Sequence, residues 1–194
     1  MNVSLRGLTA ALATTALATT AALTAAPSAQ AADRARPTSL AQVLAADGHR
    51  FDKNWGDFDI LDAAVTAVLK AKPESPVGIL AKRKAKLTAF LPTDRAFRRL
   101  ATSLTGTRPA TEKATFNALA TAAGIDTIES VLLYHVVPGR TLGSTIIVDV
   151  HKKWIALVDA DPDMRNPRVI ATDINKGNPQ IAHAIDRVLL PIDL

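Results

Sequence analysis

The side chains that could do chemistry in this sequence are mainly cationic, and several lie close together along the chain. They form a basic stretch followed by a group of arginines: Lys82, Arg83, Lys84, Lys86, Arg95, Arg98 and Arg99. With a formal net charge of +5, the chain suits an anionic partner such as an acidic glycan, a teichoic-type polymer or a lipid headgroup. We predict that these side chains share one surface that contacts an anion, the alternative being a solvated loop and helix face. Nucleic acid is disfavoured because aromatic residues are not interleaved with the basic ones.

Acidic residues offer a weaker signal for metal binding. Asp159, Asp161 and Asp163 alternate as in the opening of a calcium loop, but Met164 stands where an EF-hand needs glycine and Ile170 replaces its final glutamate. A solvated acidic turn between two strands is therefore predicted, with weak cation binding as the alternative. The sequence predicts no dedicated metal site and no cofactor.

Catalytic residues do not form a recognisable motif. The four histidines, His49, His135, His151 and His183, are far apart in sequence, and neither Gly-x-Ser-x-Gly nor His-Glu-x-x-His occurs. Cysteine is absent, which excludes a thiolate nucleophile and any disulfide. The prediction is a protein that is not an enzyme, although a Ser/His/Asp triad assembled by folding is left open.

The first 31 residues have the pattern of a cleaved signal peptide. One positive charge, Arg6, precedes an uncharged run of Ala, Leu and Thr over residues 7–26, and residues 29–31 read Ala-Gln-Ala. The small residues Ala29 and Ala31 suit the binding pocket of a signal peptidase. A membrane anchor is the alternative, because the run is near the length that spans a bilayer.

Cleavage after Ala31 would define the mature protein. Residues 32–37 are predicted to be a flexible lead-in, and residues 38–194 a single domain. We expect a secreted or cell-envelope protein with no membrane span after cleavage, and the Ala/Thr-rich leader is of a bacterial type. The oligomeric state is left open.

Helical patterns dominate the first part of the mature chain. Thr38 or Ser39 is predicted to cap a short helix over residues 40–44, and residues 60–69 form the clearest amphipathic helix. Further helices are predicted after Thr93 and over residues 111–123, where Gly124 ends the second of these. Asp126 with Glu129 resembles a capping box for a helix at residues 128–133.

Strand patterns dominate the later part. A strand at residues 87–91 is bounded by Pro92, and β-branched or alternating stretches then follow Gly, Pro, Asn and Asp turns. The predicted later strands are residues 144–150, 154–158, 168–172, 181–185 and 188–190. Helices first and strands later, without regular alternation, predict an α+β fold.

Three segments resemble the signature regions of fasciclin-like (FAS1) domains. Residues 87–97 read LTAFLPTDRAF, similar to a first box of the type T-V-F-A-P-T-D-x-A-F. Residues 131–139 read VLLYHVVPG, almost identical to L-L-Y-H-V-V-P-G, and residues 181–191 read IAHAIDRVLLP, similar to V-I-H-V-I-D-x-V-L-L-P. The resemblance covers residues 38–191 and implies a wedge of two β-sheets flanked by α-helices, with adhesion or ligand binding as its role.

The resemblance also assigns structural roles within these boxes. The residues expected to form buried scaffold are Phe90, Pro92, Thr93, Asp94, Phe97, Pro138, Gly139, His183 and Asp186. Residues 50–56 and 82–86 look like insertions relative to the family pattern.

Two pairs of residues are candidate contacts because of the resemblance. Tyr134 and His135 have been linked with adhesion in the family, although a buried scaffold role, with the tyrosine ring packed, is favoured. Asp173 and Ile174 stand where animal members place an Asp-Ile pair in proposed integrin-binding motifs, the alternative being that they turn the chain.

These observations favour a secreted, non-catalytic binding or adhesion module that recognises a cell-surface polymer, a matrix component or a protein. The first alternative is a carrier of a small apolar or cofactor-like ligand in a cleft between the sheets, with His135 or His183 as a polar contact. A hydrolase with an unrecognised site is the second.

Overall fold

The computed structural model describes residues 37–140 and 156–191. Within these residues, four α-helices and four strands follow one another, with 3₁₀ turns at Ala45–Asp47 and Pro76–Ala81. In chain order the elements are α1 (Leu40–Leu44), α2 (Asp59–Ala71), β1 (Leu87–Pro92), α3 (Asp94–Thr105), α4 (Glu112–Tyr134), β2 (Val136–Pro138), β3 (Val169–Ile174) and β4 (Gln180–Ile185).

The four strands form one mixed sheet in the order β2-β1-β4-β3. The central pair, β1 and β4, is parallel, from Leu87 opposite Gln180 to Pro92 opposite Ile185. The two outer pairs are antiparallel. All helices of the described residues precede β2, so the predicted α+β class is confirmed. The predicted strand at residues 144–150 lies outside the described residues, and the second sheet of the wedge stays a prediction.

Capping fixes the first helix, and apolar spacing fixes the second. The Ser39 hydroxyl accepts a hydrogen bond from the Gln42 N–H, and the Gln42 side chain accepts from the Ser39 N–H, which is a complete capping box. Helix α2 buries Ile60, Val65 and Val68 at the spacing that the sequence predicted. These faces pack with β1 and with Ala182 of β4 in the core.

A buried glutamine connects the N-terminal segment to the last strand. Gln180 accepts a hydrogen bond from the Leu40 N–H over 2.6 Å and donates to the carbonyls of Ile79 and Lys82, each over 3.0 Å. Its side chain therefore satisfies three main-chain groups of two earlier segments in a site that excludes water.

One predicted helix cap is confirmed in position only, and another is wrong. Thr93 has the extended backbone of an N-cap, but its side chain makes no capping hydrogen bond. Glu129 does not complete a capping box with Asp126, because its carboxylate accepts from the Ser75 hydroxyl and from Lys72, each over 2.5 Å. The break at Gly124 is confirmed, since α4 is non-helical there, with φ 73° and ψ 168°.

The strand predicted at residues 188–190 is also wrong. These residues are buried, but the Leu189 N–H donates to the His135 ring and the Leu190 N–H donates to the Asp159 carboxylate. Because side chains take these donors, no ladder forms along the segment. Within the described residues, the strand predicted at 154–158 is reduced to one bridge between Ala156 and Arg168.

Among the described residues, no helix is both long and apolar enough to cross a bilayer. The predicted leader lies outside these residues.

Candidate functional site

His135 is a buried connection between α4 and the closing box. Its Nδ1 donates to the Val131 carbonyl over 2.7 Å, and its Nε2 accepts from the Leu189 N–H over 2.8 Å. These partners require the neutral tautomer protonated at Nδ1. Burial lowers the pKa of His135 to about 4, which keeps the ring neutral at neutral pH. Both nitrogens are used by the main chain, so the ring holds the scaffold together.

Tyr134 differs from its neighbour, since its side chain is not packed inside as expected. The residue is 43% exposed and borders a shallow apolar depression with Phe90, Val158 and Leu189. Val158 is 82% exposed. Of the candidate pair, Tyr134 is therefore the residue that a partner could touch.

The second candidate pair lies where β3 bends. Asp173 has a positive φ of 60° at an irregularity in the β3–β4 register, and its carboxylate lies 3.5 Å from the Lys176 ammonium. Ile174 is partly buried against the core. The Asp173 N–H donates to Nδ1 of His183, over 3.3 Å, in the fully buried part of β4. This geometry supports a turn-forming role for the pair.

The remaining box residues lie in or beside the sheet. Phe97 and Pro92 are buried, and the Phe90 ring centroid lies 5.9 Å from that of His183. Pro138, which ends β2 opposite Leu87, and Gly139 are exposed, so the prediction that these two are buried is wrong. Gly139 has a φ of 79° and donates its N–H to the Lys86 carbonyl. Asp186 accepts from the Arg168 N–H over 2.7 Å.

The basic residues do not form the single surface that the sequence predicted. The Lys82 carbonyl bonds Gln180, at the start of the parallel β1–β4 pair. Arg99 donates to the carbonyl of Asp186, which follows the other end of that pair. At roughly 3.3 Å per strand residue, the two ends lie about 17 Å apart. The lysine-rich stretch and the arginines of α3 are therefore separate sites.

Arginines from three segments line an open groove, which we call the arginine groove. Its arginines are Arg95, Arg98, Arg99, Arg108 and Arg187. Those of α3 share a face because residues three and four apart are neighbours on a helix, and Thr102 and Ser103 lie beside them. The space enclosed is about 480 Å³.

The sequence interpretation did not include Arg108 and Arg187. Arg187 occupies the variable position of the closing box, directly after Asp186, and Arg108 follows the end of α3. The sequence contained no signal that they meet, because folding alone brings them to α3.

Like charges crowd one another in the arginine groove. Burial, followed by the positive charge of Arg108, lowers the pKa of Arg98. Burial, followed by Arg99, likewise lowers the pKa of Arg187. Arg98 is also fixed in place: its guanidinium carbon lies 3.9 Å from the Trp55 ring centroid, and its Nε donates to the Pro109 carbonyl over 2.8 Å. A fixed group of cations attracts anions, and guanidinium groups match phosphate, sulfate and carboxylate oxygens in pairs.

Carboxylates also converge around the start of α2 and the start of α4. We call the four that converge the acidic cluster: Asp52, Asp57, Asp59 and Glu112. Asp94 lies beside it and accepts from the N–H groups of Asp59 (3.2 Å) and Ile60 (2.8 Å), which caps α2. Burial, followed by a hydrogen bond with Asp57, raises the pKa of Asp94 to about 9, and burial also raises the pKa of Glu112.

The aspartates at 159, 161 and 163 form a turn. One oxygen of Asp161 accepts from the N–H groups of Asp163 and Met164, each over 2.9 Å. Asp159 accepts from the Leu190 N–H. These bonds are those of a side-chain-stabilised turn.

Helices packed on a mixed sheet, with the three signature segments in or beside the core, define an α+β domain. The chain belongs to the fasciclin domain family, whose model matches residues 62–191. It is similar to a FAS1 domain pair from the insect cell adhesion molecule Fasciclin I, with 14% identity and a TM-score of 0.44 over 68% of this chain. This chain spans 47% of the length of that pair. No curated protein matches the sequence.

Proposed function

We propose that this chain is a secreted binding and adhesion module that attaches to an anionic polymer or protein surface outside the cell. The observation that carries the proposal is the arginine groove, where arginines from separate segments face one open space. Membership of the fasciclin family supports a role in adhesion. An extended polyanion, such as a sulfated or phosphate-bearing polymer, suits such a groove because each guanidinium can bond one anionic group in a bidentate manner.

A pair of charge-reversal variants tests this proposal. Arg95→Glu with Arg108→Glu changes two exposed groove residues, whereas Lys84→Glu with Lys86→Glu makes the same change in net charge at the other end of the sheet. Retention on an immobilised sulfated polysaccharide, eluted with a salt gradient, is the measurement. We expect the groove variant to bind about tenfold more weakly than the lysine variant. Equal losses in both variants, or salt-independent retention of the native chain, would contradict the proposal.

Secretion is part of the same proposal and needs its own test. The unprocessed chain should be expressed in a bacterium that secretes proteins, and the mature N-terminus sequenced. A first residue of Ala32 in the culture medium is expected from the small residues at positions 29 and 31. A full-length chain in the membrane fraction would favour the anchor instead.

The carrier alternative keeps one candidate space, an open and mainly apolar depression of about 370 Å³ beside α2, but the helical core and His135 support neither the carrier nor the hydrolase alternative. The apolar space between α2, α3 and α4 is about 50 Å³, whereas ligand pockets measure about 300–1,000 Å³. Both ring nitrogens of His135 bond main-chain groups, so this histidine has no nitrogen available for a ligand or for activating a nucleophile.

A further inference from the structure

The acidic cluster brings together carboxylates that are distant in sequence. One oxygen from each of its four residues can be chosen so that all lie within 4.8 Å of one another. Calcium binds oxygens at about 2.3–2.6 Å, so ligands on opposite sides of one ion are up to about 5 Å apart. The spacing of the cluster is therefore that of oxygens around a single cation.

A second observation, independent of the clustering, also indicates a ligand. Glu112 is 0% exposed, and its Oε1 has no hydrogen-bond partner among the described residues. The other oxygen accepts from the Asp52 N–H over 2.6 Å, which fixes the direction of the carboxylate. Buried carboxylate oxygens are normally satisfied by donors or by a metal.

No lysine or arginine side chain of the described residues supplies a partner for the Glu112 carboxylate. In residues 37–140 and 156–191, no lysine or arginine forms an ion pair with Asp52, Asp57 or Glu112. The cluster lies at the first residues of α2 and α4, where helix dipoles favour negative charge. A dipole acts on single carboxylates, however, and does not explain why four of them converge.

The loop that carries two of the aspartates is held in place. The Asp57 carbonyl accepts from the Asp94 N–H, and the Trp55 carbonyl accepts from the Arg95 N–H, each over 3.0 Å. Asp57 is therefore positioned by main-chain bonds to α3 before any ion arrives, which reduces the ordering cost of binding.

We propose that the acidic cluster binds one Ca²⁺ ion. Its ligands are all carboxylate oxygens, which suit a hard cation and exclude softer metals that prefer nitrogen or sulfur. Calcium is favoured over magnesium because it accepts an irregular, largely protein-derived set of oxygens, and the exposed side at Asp52 leaves room for water. Asp52, Asp57 and Asp59 precede the segment that the family model matches, and Glu112 lies within it.

Calorimetric titration of the chelator-treated full chain with CaCl₂ tests the site directly. We expect one ion to bind, with a dissociation constant of about 10⁻⁴–10⁻³ M or tighter, as in extracellular modules. Calcium should raise the melting temperature by mass action, and MgCl₂ should bind more weakly. No binding at millimolar Ca²⁺, or tighter binding of Mg²⁺, would overturn the proposal.

Amide variants locate the ion. Asp57→Asn and Glu112→Gln keep the side-chain shape and should each weaken Ca²⁺ binding at least about tenfold. Asp163→Asn is the matched control, because it changes the turn that resembles a calcium loop and should bind as the native chain does. If Glu112→Gln fails to fold, the less buried Asp57→Asn decides alone. Loss of binding in the control, with retention in the cluster variants, would place the ion elsewhere.

Terbium luminescence provides a readout that a merely structural effect would not change. Tb³⁺ replaces Ca²⁺ in oxygen sites and is excited through a nearby tryptophan. Trp55 lies in the loop between Asp52 and Asp57, so Trp55→Phe should remove most of the sensitised emission while calorimetric Ca²⁺ binding is retained. Emission that is unchanged in Trp55→Phe would contradict the location.

Discussion

The first turn of α3 and the last turn of α4 each place a buried titratable group next to an exposed side chain. In α3, Asp94 is buried against the start of α2, and the next residue, Arg95, lines the arginine groove. In α4, Tyr134 is exposed and His135 is buried. We call the buried residue of each pair (Asp94 or His135) the inner residue and the exposed one (Arg95 or Tyr134) the outer residue. The outer residue is a cation at α3 and an aromatic ring at α4. Changes to the inner residues should therefore affect stability, and changes to the outer residues should affect binding.

The largest effect is expected from Asp94→Ala. This change removes the acceptor of two buried N–H groups, those of Asp59 and Ile60, and each unsatisfied donor costs about 1–3 kcal/mol. The free energy of unfolding should fall by about 4 kcal/mol, as measured by urea denaturation. Asp94→Asn keeps one acceptor oxygen and should cost clearly less. Arg95→Ala, the outer neighbour, should change stability by less than about 0.5 kcal/mol, and an equal loss in Arg95→Ala would break the comparison.

The next largest effect is a loss of stability in acid through His135. Burial lowers its pKa to about 4, whereas an unfolded histidine titrates near about 6.5. Between these values the unfolded state binds the proton and the folded state does not. The stabilisation is therefore complete above about pH 6.5 and is lost as the pH falls toward about 4, to a total of about 3 kcal/mol.

Urea denaturation across that pH range measures this effect, with His135→Gln as the comparison. The variant should be less stable at neutral pH but should show a flatter dependence on pH, since it lacks the titrating ring. Parallel pH profiles for the variant and the native chain would assign the acid sensitivity to other groups.

The smallest effect is expected at the outer residue of α4. Tyr134→Ala should change the free energy of unfolding by about 0.5 kcal/mol, as is usual for a side chain at the surface. Tyr134 does not line the arginine groove, so retention on a sulfated polysaccharide should be unchanged. A weaker attachment to native cell envelope in the same variant would make Tyr134 a second, uncharged contact. A loss of stability as large as that of Asp94→Ala would show that it is scaffold.

Local sequence predicted the elements but not the sites. The strands near residues 87–91 and 181–185 could be predicted because apolar residues and turn residues bound them clearly. Residues 188–190 have the same composition, yet their N–H groups bond His135 and Asp159, which are distant in sequence. The same reason applies to the arginine groove and the acidic cluster. Their members come from separate segments, and neither Arg187 nor Glu112 stands in a motif that indicates a partner.

The order of the strands has a consequence for how the protein is made. The central pair joins Leu87 to Gln180, and Gln180 also holds the Leu40 N–H. The middle of the sheet cannot assemble until the chain has been synthesised as far as β4, and contacts between such distant segments form slowly. For the export that we propose, this delay is useful, because a translocation channel threads chains that have not yet folded.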